Sequence, residues 1–241
     1  MCRNGQYTER GIKDRNGYAS ERFRVEAGFA IKVDPQLGEC AVLLEPTSVV
    51  AKAWDQIERI GARTSAWRPQ TVLVTGAGPI GLLAAMLAKQ RGCELHVLDH
   101  AGSGPKPELV RALGATYHNG ALDGLEPDLV IECTGVTSVI LDAVARVAPD
   151  GLVCLTGVSS GGNEVKLDVG KVNRAMVLEN TVVFGTVNAN RTHYETAAAA
   201  LARADRQWLR RLITRRIPLD RWQEVLVNKP DDIKVVLDFA M

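Results

Sequence analysis

From residue 71 to residue 185 short unbroken apolar runs alternate with longer stretches in which apolar residues recur every three or four positions. The runs predict strands at 71–75, 94–99, 129–133, 151–156 and 181–185, and the spaced stretches predict helices at 80–91, 107–113 and 139–147. Strands that are apolar on both faces and separated by helices imply a parallel sheet covered on both sides, the doubly wound α/β class. Before this block, Val49, Val50, Ala53, Trp54, Ile57 and Ile60 follow helical spacing from Pro46, a residue suited to a first helical turn, as far as Gly61. After it, a helix rich in Ala and Arg is expected over 193–216, with a strand-like run at 233–239. Residues 1–45 differ in character: short alternating runs, such as 18–25, predict loops and strands of a mainly antiparallel module.

Composition narrows the function classes. The chain has 241 residues, about one and a half average domains. Its 46% hydrophobic and 24% charged residues are those of a globular protein. Lys and Arg number 29 and Asp and Glu 28, so no net field draws nucleic acid or an acidic membrane surface, and neither is expected as a partner. The six arginines Arg203, Arg206, Arg210, Arg211, Arg215 and Arg216 are accordingly read as a solvated face rather than a phosphate site. The longest apolar stretch, 77–88, is too short to span a bilayer, and the polar opening residues carry no apolar signal core, so a cytoplasmic location is expected. Five scattered cysteines without a CxxC pair suit reduced thiols. Cys93, His96 and His100 have a superficially metal-like spacing, but positions 93 and 96 of one strand face opposite ways, which argues against a site there.

The chemistry is concentrated after the first strand of the block. Gly76-Ala77-Gly78-Pro79-Ile80-Gly81 follows the run 71–75 directly and opens an apolar helix. In that context the first Gly allows a tight turn, the second lets backbone N–H groups reach a pyrophosphate, and the third lets helix and strand pack closely. An acid about 20 residues on, at the end of the next strand, is the second mark of a dinucleotide site, and Asp99 occupies that place. A carboxylate there binds ribose hydroxyls and repels a 2′-phosphate, which favours NAD over NADP. His100, Lys106 and the loop Gly102-Ser103-Gly104 would accept the phosphate if Asp99 turned away. Cys133-Thr134-Gly135 and Thr156-Gly157-Val158 end later strands, at the edge where ligands of open α/β sheets lie.

Three strings carry a closer likeness: CRNGQYTERGIK at residues 2–13, LEPTSV at 44–49 and FGTVNANR at 184–191. Together they resemble the glucose 1-dehydrogenase group of the zinc-dependent medium-chain dehydrogenase/reductase superfamily, along essentially the whole chain. The resemblance implies a Rossmann dinucleotide-binding domain at 46–185, with parts of a GroES-like, β-rich catalytic domain at 1–45 and 186–241. It implies oxidation of an aldose, glucose to gluconolactone, with NAD or NADP as hydride acceptor and zinc as Lewis acid, and a homo-oligomer. By position, Glu45 matches the acid beside the catalytic zinc, Cys2 a structural-zinc ligand, and Glu9 and Asn188 sugar contacts. Thr186, Val187 and Asn188 match cofactor contacts. The family's catalytic Cys and His-Glu pair lie upstream of the string that opens this sequence, so an N-terminally truncated relative is expected. Such a chain would bind dinucleotide better than it catalyses, because a catalytic zinc needs about three protein ligands. The alternative reading is a non-catalytic dinucleotide-binding remnant or redox-sensing module.

Overall fold

The computed structural model describes residues 4–65, 67–161 and 164–239. The chain opens with β1 (Glu9–Arg10) and β2 (Asp14–Arg15), then two 3-10 segments at Ala27–Phe29 and Pro35–Leu43. α1 (Leu44–Gly61) leads into β3 (Thr71–Thr75), α2 (Pro79–Gln90), β4 (Glu94–Leu98), α3 (Pro105–Ala112) and β5 (Thr116–His118). The second half runs β6 (Leu129–Glu132), α4 (Thr137–Arg146), β7 (Leu152–Leu155), α5 (Val169–Glu179) and β8 (Val182–Gly185). α6 (Arg191–Arg203), α7 (Arg206–Leu212), β9 (Ile213–Pro218), a 3-10 segment and β10 (Lys234–Asp238) complete it.

β3 to β8 form one all-parallel sheet in the order β5-β4-β3-β6-β7-β8, a doubly wound Rossmann arrangement. β3 pairs with both β4 and β6, so the order reverses there and a crevice opens at the carboxyl ends of β3 and β6. Register puts Val72, Leu129 and Leu152 in one row and Leu73, Val130 and Val153 in the next. Successive side chains point to opposite faces, so the two rows feed different cores. The first row packs with α1, α2, α6 and α7, and the second with Ala143, Val147 and Leu122. This double burial is why the strands lack polar alternation.

α1 carries its apolar stripe Val50, Ala53, Trp54 and Ile57 fully into the first core. Its buried hydroxyls stay satisfied within the helix, Thr47 Oγ1 donating to Leu43 O at 2.6 Å and Ser48 Oγ to Glu45 O at 2.6 Å. The C-terminal segment docks on the same core. Trp208 on α7 is buried, and its Nε1 donates to Leu109 O of α3 at 2.9 Å.

Three expectations are corrected. The helix over 193–216 is two helices and a strand: Asp205 accepts from Gln207 N and Trp208 N and starts α7, after which 213–218 extend beside β10. Run 18–25 forms no strand, and β1 and β2 are two-residue strands paired in parallel, with antiparallel pairing among the described residues confined to the single bridge between Glu9 and Lys13. Two elements went unread, β5 and α5. Most of the arginines have partners: Arg211 with Glu108 at 3.0 Å, Arg215 with Asp232 at 2.6 Å, Arg216 with Glu39, Arg206 with Gln36, and Arg203 with Gln90 at 3.2 Å. No helix among the described residues is long and apolar enough to cross a membrane.

The docking of α7 predicts a graded loss of stability. Trp208→Phe removes one buried hydrogen bond and should cost about 1–2 kcal/mol, while Trp208→Ala should cost about 3–5 kcal/mol. Denaturant midpoints measure both, and a single cooperative transition is expected in each case, because α7 shares the first core with the sheet.

Candidate functional site

The glycine turn is built as its sequence suggests, for identifiable steric reasons. Gly76 has φ +90°, a left-handed conformation that favours Gly, and a Cβ there would lie 2.9 Å from Thr134 Cγ2. A Cβ on Gly81 would lie 1.7 Å from Gly76 O, so only Gly lets α2 pack this closely on the turn. Gly78 differs: a Cβ there would meet nothing within 4 Å, and its backbone faces an open cleft. Pro79 begins α2, where a missing N–H costs no helix bond, and Ile80 and Gly81 complete the first turn, whose unpaired N–H groups suit an anion.

Asp99 is nine-tenths buried, and its carboxylate is turned into the protein. It accepts from Ala77 N at 2.7 Å and from Ala101 N at 3.0 Å, so it clamps the glycine turn to the end of β4. Lys106 Nζ and His100 Nδ1 each approach it at 3.5 Å. Burial alone would raise its pKa, but the two N–H groups, Lys106 and His100 outweigh burial and hold the carboxyl below the usual range. His100 itself is almost wholly exposed.

A cleft of about 530 Å³ follows the carboxyl edge, lined by Gly76, Gly78, Asp99, His100, Asn119 and Thr134 among others. A second of about 570 Å³ adjoins it at Thr134 and Val136 and continues to Val158 and Ser159. Both sizes suit parts of a small-molecule ligand. The walls between them are cross-tied. Thr156 donates through N and Oγ1 to Glu132 O, both at 2.8 Å, Gly157 N donates to the same oxygen at 3.0 Å, and Ser159 Oγ donates to Gly135 O at 2.7 Å. Burial pushes the Cys133 thiol up to about 12, so it lines the cleft as a neutral group. Thr186 N donates to Leu155 O, while its buried Oγ1 has no partner among the described residues. That orphaned hydroxyl, the open backbone at Gly78 and the paired clefts fit a bound dinucleotide.

Beyond β8 the chain turns through Val187 and Asn188, the latter at φ +63°. Lys52 Nζ of α1 donates to Val187 O at 2.6 Å, which fixes this segment over the helix. Glu45, Ser48 and Lys52 share one stripe of α1, and Glu45 is exposed in its first turn. Tyr194 on α6 is met by Ser48 and lies within the fields of both Glu45 and Glu9. Burial raises its phenol pKa most, the Ser48 hydrogen bond lowers it, and the two carboxylates raise it further. The charges of Glu9 and Glu45, far apart in the chain, thus both bear on the Tyr194 phenol.

Sequence reasoning missed four site residues. Asn119 and Gly120 line the cleft from beyond β5, an unread strand. Tyr194 carries no motif, and Glu132 is fully buried at the end of β6, where only its hydrogen-bond partners mark it. Cys2 lies outside the described residues. Among those residues no three His, Cys, Asp or Glu side chains come together as a metal set, so the donors described here do not complete a zinc site around Glu45.

Comparisons with known proteins bear on the same residues. The family model for the glucose dehydrogenase C-terminus matches residues 38–239. Glucose 1-dehydrogenase 1 of Caldivirga maquilingensis is 40% identical over 98% of this chain and 69% of its own length. Glucose 1-dehydrogenase of Thermoproteus tenax is also 40% identical, with 70% of its length covered. The Haloferax mediterranei glucose dehydrogenase in complex with NADP, Zn and gluconolactone superposes with a TM-score of 0.92 at 27% identity, over the whole of this chain and 70% of that one.

The clamp on the glycine turn gives a pH prediction. Asp99 is held below its unfolded pKa of about 3.9, so its stabilisation is complete above that value and is lost as pH falls through the native value. Asp99→Asn, which sets an amide against two N–H donors, should lower stability by about 1–3 kcal/mol at neutral pH. Urea midpoints at neutral pH and near pH 3 should show the gap between wild type and variant closing in acid. Glycine turn, clamping acid, adjoining clefts and matching relatives converge on one conclusion: the chain belongs to the glucose dehydrogenase family of oxidoreductases.

Proposed function

We propose that this chain binds an oxidised nicotinamide dinucleotide along the carboxyl edge of its sheet and serves the oxidation of glucose to gluconolactone. The observation that carries the reading is the Gly76–Gly81 turn, clamped by Asp99 at the strand reversal with open N–H groups above it. When bound, the dinucleotide would supply a nicotinamide C4 to accept the hydride from C1 of the sugar, while the C1 hydroxyl releases its proton to solvent as the C1=O bond forms.

In this reading Gly76, Gly78, Pro79, Ile80 and Gly81 receive the pyrophosphate. Thr134, Thr156, Gly157, Val158, Thr186, Val187 and Asn188 flank the nicotinamide half, where the unpartnered Thr186 hydroxyl gains a polar partner. Glu9, Glu45 and Asn188 accept hydrogen bonds from sugar hydroxyls. Residues 1–45 and 186–241 are thereby the sugar side, and 46–185 the dinucleotide side. Because the described donors do not complete a zinc set, no step here is routed through a metal.

Cofactor choice turns on Asp99. Its inward orientation meets the condition under which a 2′-phosphate is tolerated, since both carboxylate oxygens are engaged by backbone N–H groups and by Lys106. Lys106 supplies positive charge 3.5 Å from Asp99 and the exposed His100 offers a ring nitrogen at the cleft, so the chain is read as accepting NADP as well as NAD.

Titration with reduced nicotinamide dinucleotides, followed by nicotinamide fluorescence, tests binding, and glucose-dependent ultraviolet absorbance of reduced cofactor tests turnover. Saturable binding with turnover supports the proposal, binding without turnover leaves the non-catalytic dinucleotide module, and absence of binding removes both. Lys106→Ala should weaken NADP binding about tenfold, about 1.4 kcal/mol, while leaving NAD within about twofold. Equal weakening of both would mean that Lys106 acts only by holding Asp99.

A further inference from the structure

We propose that Glu132 is a positioning residue that pre-builds the half of the cleft beyond the strand reversal. The proposal rests on the dinucleotide reading above. Glu132 ends β6 and is completely buried. Its Oε1 accepts from Thr134 N at 2.6 Å, from Thr134 Oγ1, from Gly135 N at 3.1 Å and from Thr75 Oγ1 at 3.3 Å. Oε2 accepts from Gly135 N at 3.2 Å. One carboxylate thus joins the end of β3 to the loop that opens α4.

It also reaches the next turn. A Cβ on Gly157 would lie 2.7 Å from Glu132 Oε2 and 2.2 Å from Gly135 N, so the turn after β7 packs directly on the carboxylate and its loop. Gly135 repeats the constraint from the other side, with φ +67° and a Cβ that would lie 2.7 Å from Val158 C and O. The loops 134–136 and 156–159 are therefore fitted to one another around a single acid.

That acid needs a reason, because a buried carboxylate is costly unless donors surround it, and apolar residues fill the rest of the row below. Its donors are two backbone N–H groups and two hydroxyls, all from segments lining the clefts. Asp99 does the corresponding work on the other side of the reversal, clamping the glycine turn. A doubly wound sheet has two mononucleotide halves. Asp99 organises the half built on β3, β4 and β5, and Glu132 the half built on β6, β7 and β8. Glu132 touches no ligand itself; it acts through Thr134, Gly135 and Gly157.

The expected signature is a split between ligand fragments. Glu132→Gln keeps the volume but sets amide hydrogens against the Gly135 N–H at the Oε2 position and removes the charge, and Glu132→Asp keeps the charge but withdraws it by one methylene. Both should weaken NAD or NADP about tenfold in isothermal titration while leaving ADP, which needs the glycine-turn half, within about twofold of wild type. In the wild-type protein without ligand, hydrogen exchange should find the Thr134 and Gly135 amides strongly protected although they border an open cleft. Dinucleotide affinity unchanged in both variants overturns the proposal, as does equal loss of ADP and dinucleotide, which marks a general structural role. Unprotected Thr134 and Gly135 amides overturn it without any variant, should the substitutions prevent folding. A wild-type chain that binds ADP but no nicotinamide dinucleotide overturns the functional reading and this proposal together, whereas wild-type binding with unaltered variants overturns this proposal alone.

Discussion

A parallel sheet ends all its strands on one edge, and there the chain must leave the sheet, turn and enter a helix while backbone N–H groups of the turns lose their ladder partners. In this protein two buried carboxylates meet that constraint. Asp99 takes Ala77 N and Ala101 N, and Glu132 takes Thr134 N and Gly135 N. Each acid ends one strand and accepts from a neighbouring turn, so the edge is a set of fixed loops rather than loose connections. The first-turn N–H groups of α2 have no earlier helical turn to bond to, and a helix start of this kind suits an anion.

The helices that frame the edge are positioned by apolar burial with the same economy. α1 buries Val50, Trp54 and Ile57 in the core beneath the sheet, and this fixes its opposite stripe, Glu45, Ser48 and Lys52, toward the segment after β8. Lys52 holds Val187 O, and Ser48 meets Tyr194, so the helix that carries Glu45 also sets the turn at Asn188. The proposed sugar side and dinucleotide side therefore share a support, even though Glu9, Glu45 and Asn188 are far apart in the chain.

Much of this was legible in the sequence, and the reasons for success and failure are physical. The strands over 71–75, 129–133 and 151–156 announced themselves because burial on both faces forces unbroken apolar runs, and all three stand in the central sheet within a residue or two. β5 was missed because Thr116, Tyr117 and His118 form a short, half-exposed edge strand with no apolar run. α5 was missed because none of its residues is buried, so no apolar stripe marks it. The helix expected over 193–216 was overextended because Arg and Leu continue a helical rhythm past Asp205, whose capping bonds restart the helix and so depend on geometry rather than on pattern.

The site divides along the same line. Gly76, Gly78 and Gly81 were readable because steric demands on a glycine leave a spacing in the sequence, and the observed contacts at Gly76 and Gly81 are those demands. Asp99 stands at the end of β4 beside the cleft, and its bonds from Ala77 N and Ala101 N are ones that its sequence position alone does not announce. Glu132 left no trace, since a single acid at the end of an apolar run is indistinguishable from a strand-terminating surface residue until its donors are seen. What separates the two is burial: a carboxylate with no exposure and four donor groups is held by its surroundings, and it holds them in return, so the loops it joins cannot shift independently.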